Sequence, residues 1–162
     1  MSRWCAMMFF LVAIALSGWA EPTEFLNGEV VRVHDGDTLS IEIPGQYEWV
    51  AVRLYGIDSP ETAYPEAQPF SGEAKQRLIA LTLGKQVSVR LKGEETYDRV
   101  VGEVFVDGVS TNRVLIREGL AWWNKKYEPQ DLDLERLERE ARKQKLGLWS
   151  EPDPVPPWRH RR

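Results

Sequence analysis

The sequence predicts an α+β fold in which five strands are interrupted by one helix and followed by further helices. Three observations predict it. Residues 25–106 are dominated by short alternating runs rich in Val and Ile, two Asp-Gly dipeptides mark hairpins, and the chain after residue 110 turns to helical spacing.

Glu29-Val30-Val31-Arg32-Val33-His34 reads as the first strand. Asp35-Gly36 is a hairpin signal, and Thr38-Leu39-Ser40-Ile41-Glu42-Ile43 alternates polar and apolar as a half-buried strand does. Pro44-Gly45 breaks it, and Trp49 to Tyr55 forms a third strand. After a loop rich in Pro and Glu, Ser71 is placed to cap a helix over Gly72 to Leu83, stopped by Gly84. Gln86 to Leu91 and Val100 to Val106 complete the strands, and Asp107-Gly108 is the second hairpin signal. Thr111 to Glu118 reads as a short helix ended by Gly119, and Leu132 to Leu146 as a longer one ended by Gly147, with Leu134, Leu137, Ala141 and Leu148 at helical spacing. This order suggests a five-stranded Greek-key β-barrel of the OB type with about three α-helices, although strand count alone also fits other small α+β folds.

The 162 residues suit one globular domain, and 43% hydrophobic with 28% charged residues is enough for a core. Residues 1–20 stand apart: Arg3, then the apolar run Cys5 to Leu16, then Ser17-Gly18-Trp19-Ala20. A charged start, a short apolar middle and a small-x-small end describe a signal peptide cleaved after Ala20. The rival is an uncleaved anchor, because Trp4 to Ala20 is uncharged and reaches the lower edge of the roughly 17–25 residues that span a bilayer. Cleavage favours an exported protein, secreted or periplasmic. It removes Arg3 and no acid, so the mature chain is one charge more negative than the −4 of the whole. It also removes Cys5, the single cysteine, leaving no disulfide. The expected organisation is 1–20 signal peptide, 21–150 barrel domain and 151–162 a Pro-rich basic tail beyond all regular structure; its Arg159–Arg162 run offers contacts to nucleic-acid phosphates, and the plainer reading is a solvated end. A net negative charge does not advertise a nucleic-acid binder, so any positive field must be local.

Three segments carry chemistry. Asp35-Gly36-Asp37-Thr38 places two carboxylates on a tight turn, where oxygen ligands for a hard cation can converge; the plainer reading is that the acid shapes the hairpin. It lacks the later ligands of an EF-hand. Arg53-Leu54-Tyr55-Gly56-Ile57-Asp58-Ser59-Pro60-Glu61 ends a strand with one Arg and two acids. Phosphodiester cleavage needs a metal, a group that orients water and a cation for charge growing on the phosphoryl oxygens. A surface salt bridge beside a turn is the bland alternative. Tyr97-Asp98-Arg99 offers a second guanidinium before a strand, able to grip phosphate with two parallel hydrogen bonds.

These segments, followed by Asn112…Gly119-Leu120-Ala121 and Gly147-Leu148-Trp149, resemble the staphylococcal nuclease family in identity and order, over about Val30 to Trp149. The resemblance implies a calcium-dependent nuclease cutting DNA and RNA with little sequence preference, leaving 3′-phosphate ends and favouring single-stranded or denatured substrate. It implies that Asp37 and Asp58 ligate Ca2+ together with the Ser59 carbonyl, where the family usually has Thr. Glu61 corresponds to the residue that orients or deprotonates water, Arg53 and Arg99 to the phosphate-gripping pair, and Asp35 to a supporting acid. Tyr127 keeps a base-stacking ring, whereas Lys125 occupies a place that can hold a second Tyr. Asp98 stands where Gly is common. Trp122 and Trp123 are expected in the core, and His34 as an ordinary exposed side chain. With two histidines in the chain, nuclease schemes needing several His ligands are excluded. The implied protein is a monomer without stable protein partners. The alternatives are an inactive nucleic-acid-binding module of the same fold and a structural domain of the cell envelope.

Overall fold

The computed structural model describes residues 24–63, 66–92 and 99–161. The candidate signal peptide, Tyr97 and Asp98 lie outside the described residues. Five strands close the barrel: β1 (Phe25–Val33), β2 (Thr38–Glu42), β3 (Val50–Leu54), β5 (Gln86–Leu91) and β6 (Val100–Val106). Their order is β3-β2-β1-β5-β6, and a parallel pairing of β3 with β6 joins the two ends. The two-residue strand β7 (Val109–Ser110) extends this sheet beyond β6, while β4 (Ile57–Asp58) and β8 (Trp122–Trp123) form a separate two-stranded pair. The fold is the α+β barrel of OB type that the strand pattern predicts.

Alternation along the strands explains the barrel. Val30, Leu39, Ile41, Val52, Leu54, Val89 and Val104 are almost wholly removed from water. Leu78 of α1 (Ser71–Thr82), Leu115 and Ile116 of α2 (Thr111–Arg117), and Leu134 and Leu137 of α3 (Leu132–Lys143) join the same cluster. At roughly 1.5–3 kcal/mol per fully buried large aliphatic side chain, this cluster is the main source of stability. Among the described residues no helix is long and apolar enough to cross a membrane.

The ends of β1, α1 and α3 differ from the sequence reading for tertiary reasons, while several other ends differ by a single residue. β1 begins four residues earlier than expected, because Phe25 to Glu29 pair with Arg90 to Gln86 while the rest of the strand pairs with β2. A β-bulge between Val30 and Arg32 lets the strand serve both neighbours. α1 starts at Ser71 itself, which is buried and makes no side-chain cap, after Phe70 in a left-handed conformation at φ 64°. α3 stops at Lys143, short of Leu146, and Lys145 and Gly147 take positive φ. Gly119 and Gly147 then meet back to back: a Cβ on Gly119 would lie 2.2 Å from the Leu146 carbonyl oxygen, and one on Gly147 2.3 Å from that of Gly119. Both glycines are required by that approach as much as by helix termination.

The tail also departs from expectation. Residues 157–160 form a fourth helix, α4 (Pro157–His160), with Pro at its first position, where the missing N–H is harmless. Pro156 and Pro157 are buried, and Trp158 meets Trp122 edge-on at 5.9 Å between ring centroids. The segment read as a solvated end folds back onto the domain.

Candidate active site

The turn between β1 and β2, the end of β3, and β4 with the loop after it meet at one rim of the barrel. Register fixes this: Thr38 pairs with Arg53, so Asp37 lies beside the strand end that carries Arg53, and the Leu54 amide donates to the Asp37 carbonyl at 2.8 Å. β4 pairs with β8, Asp58 opposite Trp122, which holds Asp58 against the helical layer. Gly36 is needed for proximity. Its φ is not positive, yet a Cβ there would sit 2.7 Å from that of Ser59 and 2.8 Å from that of Ala74 in α1. The glycine lets the Asp35–Asp37 turn settle onto Ser59, beyond its expected hairpin role.

Asp37 and Asp58 are 5% and 2% exposed, and one guanidinium joins them. Arg53 pairs with Asp37 through Nη1 and with Asp58 Oδ1 through Nη2, the latter at 2.8 Å. The two carboxylates therefore lie within the span of a single Arg head. Asp37 also accepts from the Ser59 amide at 2.5 Å and the Thr38 hydroxyl at 3.2 Å. Burial alone would raise the Asp37 carboxyl; Arg53 and the Ser59 amide outweigh it and hold the group below the usual range. Asp58 is pushed up, by burial and by Asp37, despite Arg53 and Arg161. Asp35 is raised to about 6 by burial and by the Asp37 charge, while its Oδ1 accepts the Asp37 amide at 3.0 Å. Arg53 is held above its ordinary value: burial lowers it, but Asp37 and Asp58 more than compensate.

Glu61 has a quarter-exposed side chain, and its backbone is clamped twice by Gln68, which accepts the Glu61 amide at 3.0 Å and donates its own to the Glu61 carbonyl at 2.8 Å. Sequence reasoning missed Gln68; a lone Gln in a Pro-rich loop carries no signal of its own. It also missed Arg161, whose Nη2 lies 2.5 Å from Asp58 Oδ2 and whose Nη1 lies 3.2 Å from Glu61 Oε1. The run of basic residues at the terminus was the available signal. Asn112 is 2% exposed; its Oδ1 accepts the Val104 amide at 3.1 Å and its Nδ2 donates to the Tyr55 carbonyl at 2.8 Å. It thus fixes the chain just after Arg53 to β6 and α2.

The remaining expected residues stand around this cluster. Arg99 is exposed at the head of β6, whose next residues run parallel to β3 with Val101 opposite Arg53. Tyr127 is 58% exposed, and its carbonyl accepts the Tyr55 hydroxyl at 2.7 Å. Lys125 is exposed and lies over the Trp123 ring, 4.8 Å from its centroid. Trp122 and Trp123 are buried as expected, and His34 is exposed, hydrogen-bonded to Ser40.

Residues 51–151 match the family described as staphylococcal nuclease homologue. The chain belongs to the staphylococcal nuclease family. It is 36% identical over 162 residues to a micrococcal nuclease of Shigella flexneri, covering 94% of this chain and 87% of that protein. It is 37% identical over 154 residues to an uncharacterized endonuclease of Escherichia coli, covering 93% and 96%. A staphylococcal-like nuclease of Arabidopsis thaliana is 35% identical over 111 residues, 68% of this chain and 33% of the plant protein.

Among the described residues no group of three His, Cys, Asp or Glu side chains stands ready as a metal centre. The donor set still fits the hard cation that the family implies. It is all oxygen, and two of its carboxylates are buried side by side within the span of one guanidinium.

Proposed function

We propose that this protein is a calcium-dependent endonuclease that hydrolyses DNA and RNA with little sequence preference, acts on unpaired strands and leaves 3′-phosphate ends. The observation that carries the reading is the pair of buried carboxylates, Asp37 and Asp58, sharing the Arg53 guanidinium beside Glu61.

Asp37, Asp58 and the Ser59 carbonyl would hold the cation, with Asp35 as a supporting acid. When bound, calcium would supply fixed positive charge to the phosphate under attack. Glu61, tethered by Gln68 and reached by solvent, orients the attacking water and accepts its proton. Arg53, carried to the site by the end of β3, and Arg99 meet the negative charge that grows on the phosphoryl oxygens. The exposed Tyr127 ring offers a stacking face worth about 1–3 kcal/mol per base, and Lys125 offers a phosphate contact beside it. The protein works as a monomer with no stable protein partner, after export and cleavage following Ala20, to the periplasm or the medium.

The test incubates purified protein with denatured DNA in calcium, in EDTA, and as Glu61→Gln. Calcium should support cleavage, EDTA abolish it, and the variant lose about 10²–10⁴-fold in kcat. Tight binding to DNA without turnover in any condition would establish the binding module instead.

A further inference from the structure

The C-terminal arm is built into the site. The Val155 carbonyl accepts from Gln68 Nε2 at 2.8 Å, and His160 Nε2 donates to the Glu66 carbonyl at 2.9 Å. Gln68 therefore joins the arm to the Glu61 loop directly. With Pro156 and Pro157 buried and Trp158 against Trp122, the arm delivers the Arg161 head to Asp58 and Glu61.

Both oxygens of the Asp58 carboxylate then face a guanidinium: Oδ1 faces Arg53 and Oδ2 faces Arg161. A cation that takes Asp58 as a ligand must compete with one of them. Arg53 has a side chain only 19% exposed and is held a second time by Asp37. Arg161 is 44% exposed and follows a helix of four residues. At Asp58 Oδ2 and Glu61 the cation meets Arg161 alone, the more exposed of the two guanidinium groups, and there Arg161 is the partner that yields.

We propose that Arg161 determines the occupancy of the cation site: it serves as an internal cation on Asp58 and Glu61 and is exchanged when a divalent ion binds. The inference rests on the proposed cation site. Exchange lowers apparent affinity in two ways, through the ion pair that must break and through the positive charge left nearby. It also gives two neighbouring acids a shared cation in the metal-free protein.

The experiment is calorimetric titration of calcium into the EDTA-stripped full-length protein, without nucleic acid, for the wild type, Arg161→Gln and Arg161→Lys. Arg161→Gln should bind calcium about three- to tenfold more tightly, the scale of a partly exposed ion pair plus local repulsion. Arg161→Lys keeps charge but loses the two-pronged grip, and should fall between. In the wild type, amide hydrogen exchange at residues 159–161 should quicken when calcium is added. Equal or weaker binding by Arg161→Gln overturns the proposal and leaves the nuclease reading standing. No calcium binding by any of the three overturns both the cation site and this role. Tighter binding in a protein that cleaves nothing would sink the nuclease reading alone.

Discussion

Replacing Arg53 by Met keeps the aliphatic stem and removes the charge that two buried carboxylates share. Asp37 and Asp58 have side chains 6% and 3% exposed, so water cannot take the place of the guanidinium. Breaking a buried pair by removing one partner costs about 3–5 kcal/mol. At roughly 2–4 °C per kcal/mol for a domain of this size, the variant in EDTA should melt about 6–20 °C below the wild type at pH 7. The pH dependence follows from the same contacts. Asp37 is held below its ordinary value chiefly by Arg53, working against burial, so in the wild type it contributes stability above about pH 4 that is lost on acidification. In the variant the Arg53 part of that stabilisation is missing at every pH. The gap between the two proteins should therefore shrink below about pH 4. Calcium at a hundred times its Kd should return about 2.7 kcal/mol, while cleavage stays down by about 10²–10³-fold because the oxyanion contact is gone. Thermal melts in EDTA and calcium, with a nuclease assay at saturating calcium, measure all of this. A variant that melts with the wild type in EDTA, or cleaves within a few-fold of it, would refute the shared-guanidinium argument.

Two more substitutions test the frame that positions the site. Asn112→Ala strands the Val104 amide and the Tyr55 carbonyl and should cost about 2–3 kcal/mol in urea denaturation; a loss under 0.5 kcal/mol would mean that water replaces the amide. Asp131 caps α3 through the Asp133 and Leu134 amides and pairs with Arg113 at 2.8 Å. Burial would raise its carboxyl, but the Arg113 hydrogen bonds and the cap hold it below the usual range, so its contribution is present above about pH 4 and fades as pH falls. Asp131→Ala should lose about 1–2 kcal/mol at pH 7, with the two stabilities converging near pH 2; a gap that persists there would argue against the charge.

Much of the barrel was legible because a strand half buried in a closed sheet must alternate. Leu39, Ile41, Val52 and Val89 follow that rule, and β5 and β6 have the predicted ends. The early start of β1 was not legible, since Phe25 to Glu29 become strand only by pairing with a segment some sixty residues away. The same limit applied to the site. Asp35, Asp37, Arg53, Asp58 and Glu61 were visible as residue types on turns and strand ends. Gln68 carried no signal and Arg161 only that of a basic run, because their roles come from contacts with Glu61 and Asp58 that no local pattern encodes.

The sequence by itself determined which chemical groups this protein owns, their order, and the periodicity that closes a barrel and excludes a disulfide-held or multi-histidine design. Only the tertiary structure decided that one guanidinium spans two buried acids, that Gly36 is small for the sake of Ser59, and that a basic terminus 103 residues beyond Asp58 ends upon it. The reason is physical: burial and charge pairing depend on distance in space, and barrel closure brings together residues that neither periodicity nor spacing relates.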